Sequence, residues 1–183
     1  MTYELLLRAD AFASGAHRAV NQTRKYSGLP YIVHPREVRD IAHNSTYVTA
    51  EGLAAALLHD VVEDTEVTLG DIEEEFGGRV ADLVEMLTDV SKPEDGNRAT
   101  RKAIDRAHSA EADQEGQTIK VCDLIANTLD ITEADPDFAV VYMKEKVLLL
   151  RVLTKADPIL RNRAWELIDD YYKSVGKELP DRV

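Results

Sequence analysis

The sequence has almost nothing that would staple it, anchor it or carry it through a membrane. Cys122 is its single cysteine, so no intrachain disulfide can form and a reducing compartment is expected. That thiol stands in an apolar run and is read as a small packed hydrophobe. Long apolar stretches are missing too. The longest cluster, Val147 to Leu153, is interrupted by Arg151 and cannot span a bilayer. Near the N-terminus, Tyr3-Glu4-Leu5-Leu6-Leu7-Arg8 is too short and too charged for a signal peptide. A soluble cytoplasmic protein that does not enter membranes is the expectation. Strand-type alternation is nearly absent while helical periodicity dominates, which predicts an all-α bundle. No internal repeat, low-complexity segment or interdomain linker interrupts the 183 residues. That length suits one domain with a core of its own.

Basic residues are also absent from one long stretch: between Arg39 and Arg79 there is no Lys or Arg. With a formal net charge of −12, the chain is a poor candidate for nucleic-acid binding through phosphate neutralisation. Residues 1–40 nevertheless carry six Lys/Arg against four acids, a net of +2 that leaves −14 for the rest. A small anionic ligand would therefore find its positive contacts near the N-terminal segment.

Inside the stretch without cations lies Leu57-Leu58-His59-Asp60-Val61-Val62-Glu63-Asp64. Read as one helix at about 100° per residue, it gathers His59, Asp60, Glu63 and Asp64 in an arc of roughly 140°, with Leu57, Leu58, Val61 and Val62 opposite. Asp60 and Asp64 are like charges at i,i+4, an unfavourable spacing, and they approach the helix C-terminus, whose dipole is already negative. A divalent cation would relieve that crowding. A solvated acidic face is the plainer reading of the segment alone.

In chain order, a first helix is predicted from about Tyr3 to Val20. A loop follows from Gln22 to Pro35, with turn residues in its middle. Pro35 should push His34 toward an extended conformation and open a short helix to about His43. Thr49 caps the central helix, expected to run on to Asp64. Thr68 and Asp71 resemble a capping box for a helix to Phe76, stopped by Gly77-Gly78. Val80, Leu83, Val84 and Leu87 form the next apolar stripe. Asn97 caps a polar helix bearing Arg98, Arg101, Lys102 and Arg106. Gln117 to Leu129 is apolar almost all round, with Lys120, Asp123 and Asn127 in an arc of about 60°. A carboxylate buried there must be paired, with Lys120 for instance, or bound to a metal. Asp135-Pro136 and Asp157-Pro158 open two C-terminal helices that read as plain core.

Two histidines and two carboxylates from a loop corner and two helices would make a mixed N/O set. It suits a six-coordinate first-row ion such as Mn²⁺ or Fe²⁺ and leaves about two positions for water and substrate. The other histidines, His17, His43 and His108, match no ligand motif and are assigned structural roles.

Several elements together carry a family resemblance: Arg24-Lys25 with Gly28-Leu29-Pro30-Tyr31-Ile32-Val33-His34-Pro35; Ala54 to Thr65, containing His-Asp-x-x-Glu-Asp; Phe76-Gly77; and Lys120-Val121-Cys122-Asp123 with Asn127. The sequence resembles the HD-domain metal-dependent phosphohydrolases, and within them the RelA/SpoT-type hydrolase domain and the small single-domain alarmone hydrolases. The resemblance implies one HD-type helical bundle over 1–183, its motifs at about 22–130 and its C-terminal packing helices at about 136–175. It implies that His34, His59, Asp60 and Asp123 bind the metal, usually manganese, and that Glu63 and Asp64 activate the attacking water. Arg24, Lys25 and Asn127 would contact the nucleotide, and the implied reaction removes the 3′-pyrophosphate of ppGpp or pppGpp. The length leaves no room for the synthetase and regulatory domains of the long family members. The sequence departs from the family pattern in three places: Tyr26 is an extra residue after Arg-Lys, and Leu124 and Leu129 stand where Arg is common. The alternatives are an HD phosphohydrolase acting on a nucleoside monophosphate or a dinucleotide 2′-phosphate, a non-catalytic nucleotide sensor, and a dinuclear iron oxygenase.

Overall fold

A computed structural model describes residues 2–180. The described residues form ten α-helices, one 3-10 turn at Pro93–Asp95 and no named strand, as the helical periodicity requires. Their contacts divide into two compact units, one up to Asp89 and one from Val90 on.

The first unit contains α1 (Thr2–Ala19), α2 (Val33–Ala42), α3 (Ala50–Leu58), α4 (Val61–Asp64), α5 (Leu69–Phe76) and α6 (Gly78–Leu87). Its centre is α3, which packs against α1, α2 and α6. Every residue from Gly52 to Leu58 is buried, and the run Ala54-Ala55-Ala56 lets three neighbours approach one axis closely. Thr49 caps α3 by accepting from the Gly52 amide. Thr68 and Asp71 form the reciprocal box at the start of α5. Gly77, at φ +88°, ends α5 and begins α6 in a conformation that a side chain would resist.

In two places the first unit departs from the sequence reading, and both hold site residues. The central helix does not run unbroken to Asp64. It stops at Leu58, turns through His59 and Asp60, and restarts as α4. Asp60 sits at φ −98°, ψ −5°, in the sparsely populated bridge between helix and strand. His59 Nδ1 lies 2.9 Å from the Ala56 carbonyl, one of the last-turn carbonyls a helix end leaves open. The 140° arc therefore does not describe these side chains: His59 is buried, Asp60 half-buried, and Glu63 and Asp64 exposed. The second departure is at His34, which is helical rather than extended, because α2 begins at Val33. Pro35 is tolerated in that first turn, where its missing N–H has no helical partner to lose.

In the second unit, α7 (Arg98–Glu111), α8 (Gln114–Ala134), α9 (Pro136–Val152) and α10 (Pro158–Ser174) share a core that includes Ile119, Leu124, Ile125, Met143, Leu150 and Ile168. The helix α8 packs on the other three. It starts three residues before the expected Gln117, because Asp113 caps it, and it continues to Ala134. Asn97, Asp135 and Asp157 cap α7, α9 and α10 as their positions predict. Two buried polar side chains of α8 join it to the neighbouring segments. Gln117 donates to the Ala110 carbonyl and accepts from the Lys155 amide, and Thr118 accepts from the Asp157 amide.

Cys122 is fully buried on α8, and burial pushes its thiol up to about 12 from an ordinary 9.0. Its reaction with a disulfide reagent at pH 8 is expected to follow global unfolding rather than free-thiol kinetics. The unfolded thiol ionises from about 9, so stability is expected to fall as pH rises from 9 toward 12. Rapid labelling of the folded protein would contradict both statements.

Candidate metal centre

Two segments of the first unit build the centre. His34 comes from the first turn of α2; His59 and Asp60 come from the break between α3 and α4. One ligand atom from each lies within 4.8 Å of the other two. Asp60 Oδ2 is 3.0 Å from His59 Nε2 and 3.8 Å from His34 Nε2, and both imidazoles are at most 2% exposed.

The donor chemistry fits a cation. His59 Nδ1 faces the Ala56 carbonyl, which only accepts, so that nitrogen carries a proton. In the neutral ring Nε2 then holds a lone pair directed at a carboxylate oxygen. Two acceptors 3.0 Å apart need a positive centre between or beside them, and a divalent ion would supply it. Imidazole nitrogens with carboxylate oxygens are the set expected for a first-row metal, and a backbone carbonyl behind the histidine is the usual way its tautomer is fixed.

Tyr31 supports this arrangement from the side. Its hydroxyl donates to Asp60 Oδ2 at 2.6 Å, its ring lies 4.6 Å from that of His17, and Arg24 Cζ is 5.9 Å from its centroid. Removing an outer partner of this kind lowers metal affinity by roughly 10–100-fold. Tyr31→Phe is therefore expected to weaken divalent-metal binding within that range while leaving the helical content unchanged. Calorimetric titration of stripped protein checks this, and unchanged affinity would deny Tyr31 the role.

The candidate acids occupy α4. Asp64 accepts from the Gln22 side-chain amide at 2.8 Å. Glu63 accepts from the Asp89 backbone amide at 3.2 Å. Desolvation raises the Asp64 carboxyl above its ordinary 3.8; the Asp60 charge adds to the rise and the Gln22 hydrogen bond opposes it. The candidate phosphate contacts lie in a tight loop. Thr23 pairs with Pro30, Arg24 N–H donates to the Leu29 carbonyl and Gly28 N–H to the Arg24 carbonyl, each at 2.9 Å. Gly28 takes φ +70°. The extra Tyr26 is accommodated there, with Lys25 Nζ 3.1 Å from its hydroxyl and 4.7 Å from its ring centroid.

Asp123 and Asn127 belong to the second unit. Asp123 is buried on α8 and accepts from Asn127 Nδ2 at 2.6 Å. Leu124, where the family often has Arg, is fully buried core, whereas Leu129 is 50% exposed.

Sequence reasoning gives no functional part to His17 or Gln22, and it names Tyr31 only within the motif from Gly28 to Pro35. The available signal was His17 itself: it continues the buried line Ala9, Ala13 of α1 at four-residue spacing, where an apolar residue is the default.

The HD-domain family model matches residues 9–166. Guanosine-3′,5′-bis(diphosphate) 3′-pyrophosphohydrolase MESH1 of Danio rerio is 35% identical over 136 residues, covering 73% of this chain and 72% of its own. The Homo sapiens protein of that name is 37% identical over 134 residues, 72% of each chain. Among solved structures, a metazoan ortholog of SpoT that hydrolyzes ppGpp aligns with a TM-score of 0.78 at 26% identity, over 94% of this chain and 96% of its own.

Proposed function

The chain belongs to the HD-domain family, and from that membership we propose that it is a manganese-dependent hydrolase removing the 3′-pyrophosphate from ppGpp and pppGpp. One observation carries the reading: His34, His59 and Asp60 converge on a common centre inside the matched stretch, in a chain whose relatives bear that activity in their names. We place Asp123 as the fourth ligand and treat residues 1–183 as one functional domain. The lone free cysteine fits a cytoplasmic setting, and no described helix is long and apolar enough to cross a membrane.

When bound, the ion supplies Lewis acidity, lowering the pKa of a water and polarising a phosphoryl oxygen. The remaining work falls to side chains. Tyr31 holds the Asp60 carboxylate in place through its hydroxyl. Glu63 and Asp64 take the proton of the attacking water, and desolvation at Asp64 makes it a stronger base than a free carboxylate. That proton is returned to the departing ribose oxygen as the phosphorus–oxygen bond at the 3′ position breaks. Pyrophosphate leaves, and the nucleotide keeps its 5′-phosphates. Arg24 offers the phosphates a two-pronged fork steadied over the Tyr31 ring, and Lys25 adds a compact charge. Asn127 steadies Asp123 and reaches the nucleotide.

A second reading keeps the centre and changes the substrate. The extra Tyr26 and the Leu at positions 124 and 129 depart from the pattern of the alarmone hydrolases, which favours another nucleotide phosphate ester. A panel of ppGpp, nucleoside monophosphates and a dinucleotide 2′-phosphate, each with Mn²⁺, separates the two. Release of GDP and pyrophosphate from ppGpp supports the first. Turnover confined to another ester supports the second, and binding without turnover, unaltered by Glu63→Gln, would leave a sensor.

A further inference from the structure

We infer that His17 and Gln22 are positioning residues that fix the orientation of Asp64, an assignment resting on the proposed hydrolytic role of that carboxylate. His17 Nδ1 lies 2.6 Å from Gln22 Oε1, and Gln22 Nε2 donates to Asp64 Oδ2 at 2.8 Å. The chemistry of the carboxylate determines the whole chain of bonds. An ionised carboxylate only accepts, so Gln22 must turn its NH₂ group toward Asp64. Its carbonyl oxygen then faces His17, and Nδ1 must be the nitrogen that donates.

His17 can act as a fixed neutral donor because it is 2% exposed and burial lowers its pKa from 6.5. A neutral imidazole has one N–H, and this one is spent on Gln22. Nε2 is left buried with no hydrogen-bond partner among the described residues, an arrangement that is itself unfavourable. The opposite tautomer would put carbonyl oxygen and ring lone pair face to face, or turn the amide so that its oxygen met the carboxylate.

The same ring supports both carboxylates. His17 packs against Tyr31, 4.6 Å between centroids. Tyr31 bonds to Asp60 while Gln22 bonds to Asp64. Those two acids stand at the N-cap and the last residue of α4, one turn apart, where the Asp64 amide donates to the Asp60 carbonyl at 2.9 Å. A helix of four residues does not hold two acidic side chains by itself, and α1 packs against it. The pair of rings on α1 and its following loop thus sets the spacing between a metal ligand and a base. Neither His17 nor Gln22 is assigned a contact with substrate, so their loss should act on turnover rather than on substrate affinity.

The test compares His17→Leu, which removes the donor at similar bulk, with His17→Asn, whose amide nitrogen lies near the place of Nδ1, and with Gln22→Met. In the Mn²⁺-loaded enzyme, His17→Leu and Gln22→Met are expected to lower kcat roughly tenfold, the rate equivalent of one hydrogen bond to a charged group. KM and bound metal should stay within about twofold. His17→Asn should recover most of the loss, and the Leu/Met double variant should lose no more than either single one. Equal impairment of the Leu and Asn variants, or additive losses, would overturn the assignment. A second readout needs no turnover and no variant: ¹⁵N NMR of the wild-type protein should show His17 protonated at Nδ1. An Nε2–H ring would overturn the inference even in an active enzyme. A wild type inert toward every substrate would sink the hydrolytic reading instead, leaving the Nδ1–H geometry to be judged by NMR alone.

Discussion

Asp60→Ala is expected to abolish both metal retention and hydrolysis while the protein stays folded. Asp60 Oδ2 is the atom on which the other groups of the cluster converge, with His59 Nε2 at 3.0 Å, the Tyr31 hydroxyl at 2.6 Å and His34 Nε2 at 3.8 Å. Without it, the proposed set falls to two neutral imidazoles and the Asp123 carboxylate, and it loses the one oxygen that faces both imidazoles, which should be too little to hold a first-row divalent ion against water. Lewis-acid assistance is worth several kcal/mol, so turnover should fall at least about a thousandfold. The buried helix α3, at the centre of the first unit, ends before Asp60, so far-UV circular dichroism should change little. Elemental analysis after dialysis checks the metal loss. Asp123→Ala is expected to do the same, and full metal content in that variant would remove Asp123 from the ligand set.

The second large effect separates chemistry from metal binding. Glu63→Gln and Asp64→Asn each keep an oxygen where the carboxylate had one, so the bonds from the Asp89 amide and from Gln22 can persist. Each loses the ability to take a proton at neutral pH. A positioned base contributes about 10²–10⁴-fold, and kcat should fall within that range for at least one of the two while one ion per chain remains bound. Loss of metal in Asp64→Asn would instead make Asp64 a ligand. Unchanged kcat in both variants would place the base elsewhere.

The features legible in the sequence were those decided locally. Thr49, Thr68, Asn97, Asp135 and Asp157 all cap helices as expected, because a cap depends on one side chain and an amide two or three residues on. The apolar character of α8 likewise announced a buried helix.

The site was legible as a set of residues and not as a geometry. The break at His59 and Asp60 has no Gly or Pro to mark it, and extending the wheel across it put both residues on a solvent face. His34 was assigned an extended conformation from the preference of a residue before proline. The turn in which the Val33 and His34 amides donate to the Pro30 and Tyr31 carbonyls overrides that preference. The Gln22–Asp64 bond joins positions far apart in the chain, and no local pattern encodes it.

Hydrolysis at a metal centre built around His34, His59 and Asp60 is decided by a ³¹P NMR time course of ppGpp with metal-stripped protein. No change is expected until Mn²⁺ is added. The 3′-diphosphate signals should then give way to one equivalent of pyrophosphate while the 5′-diphosphate persists. Unabated hydrolysis in excess chelator, or an unchanged spectrum with the ion demonstrably bound, would rule out metal-dependent ppGpp hydrolysis at this centre.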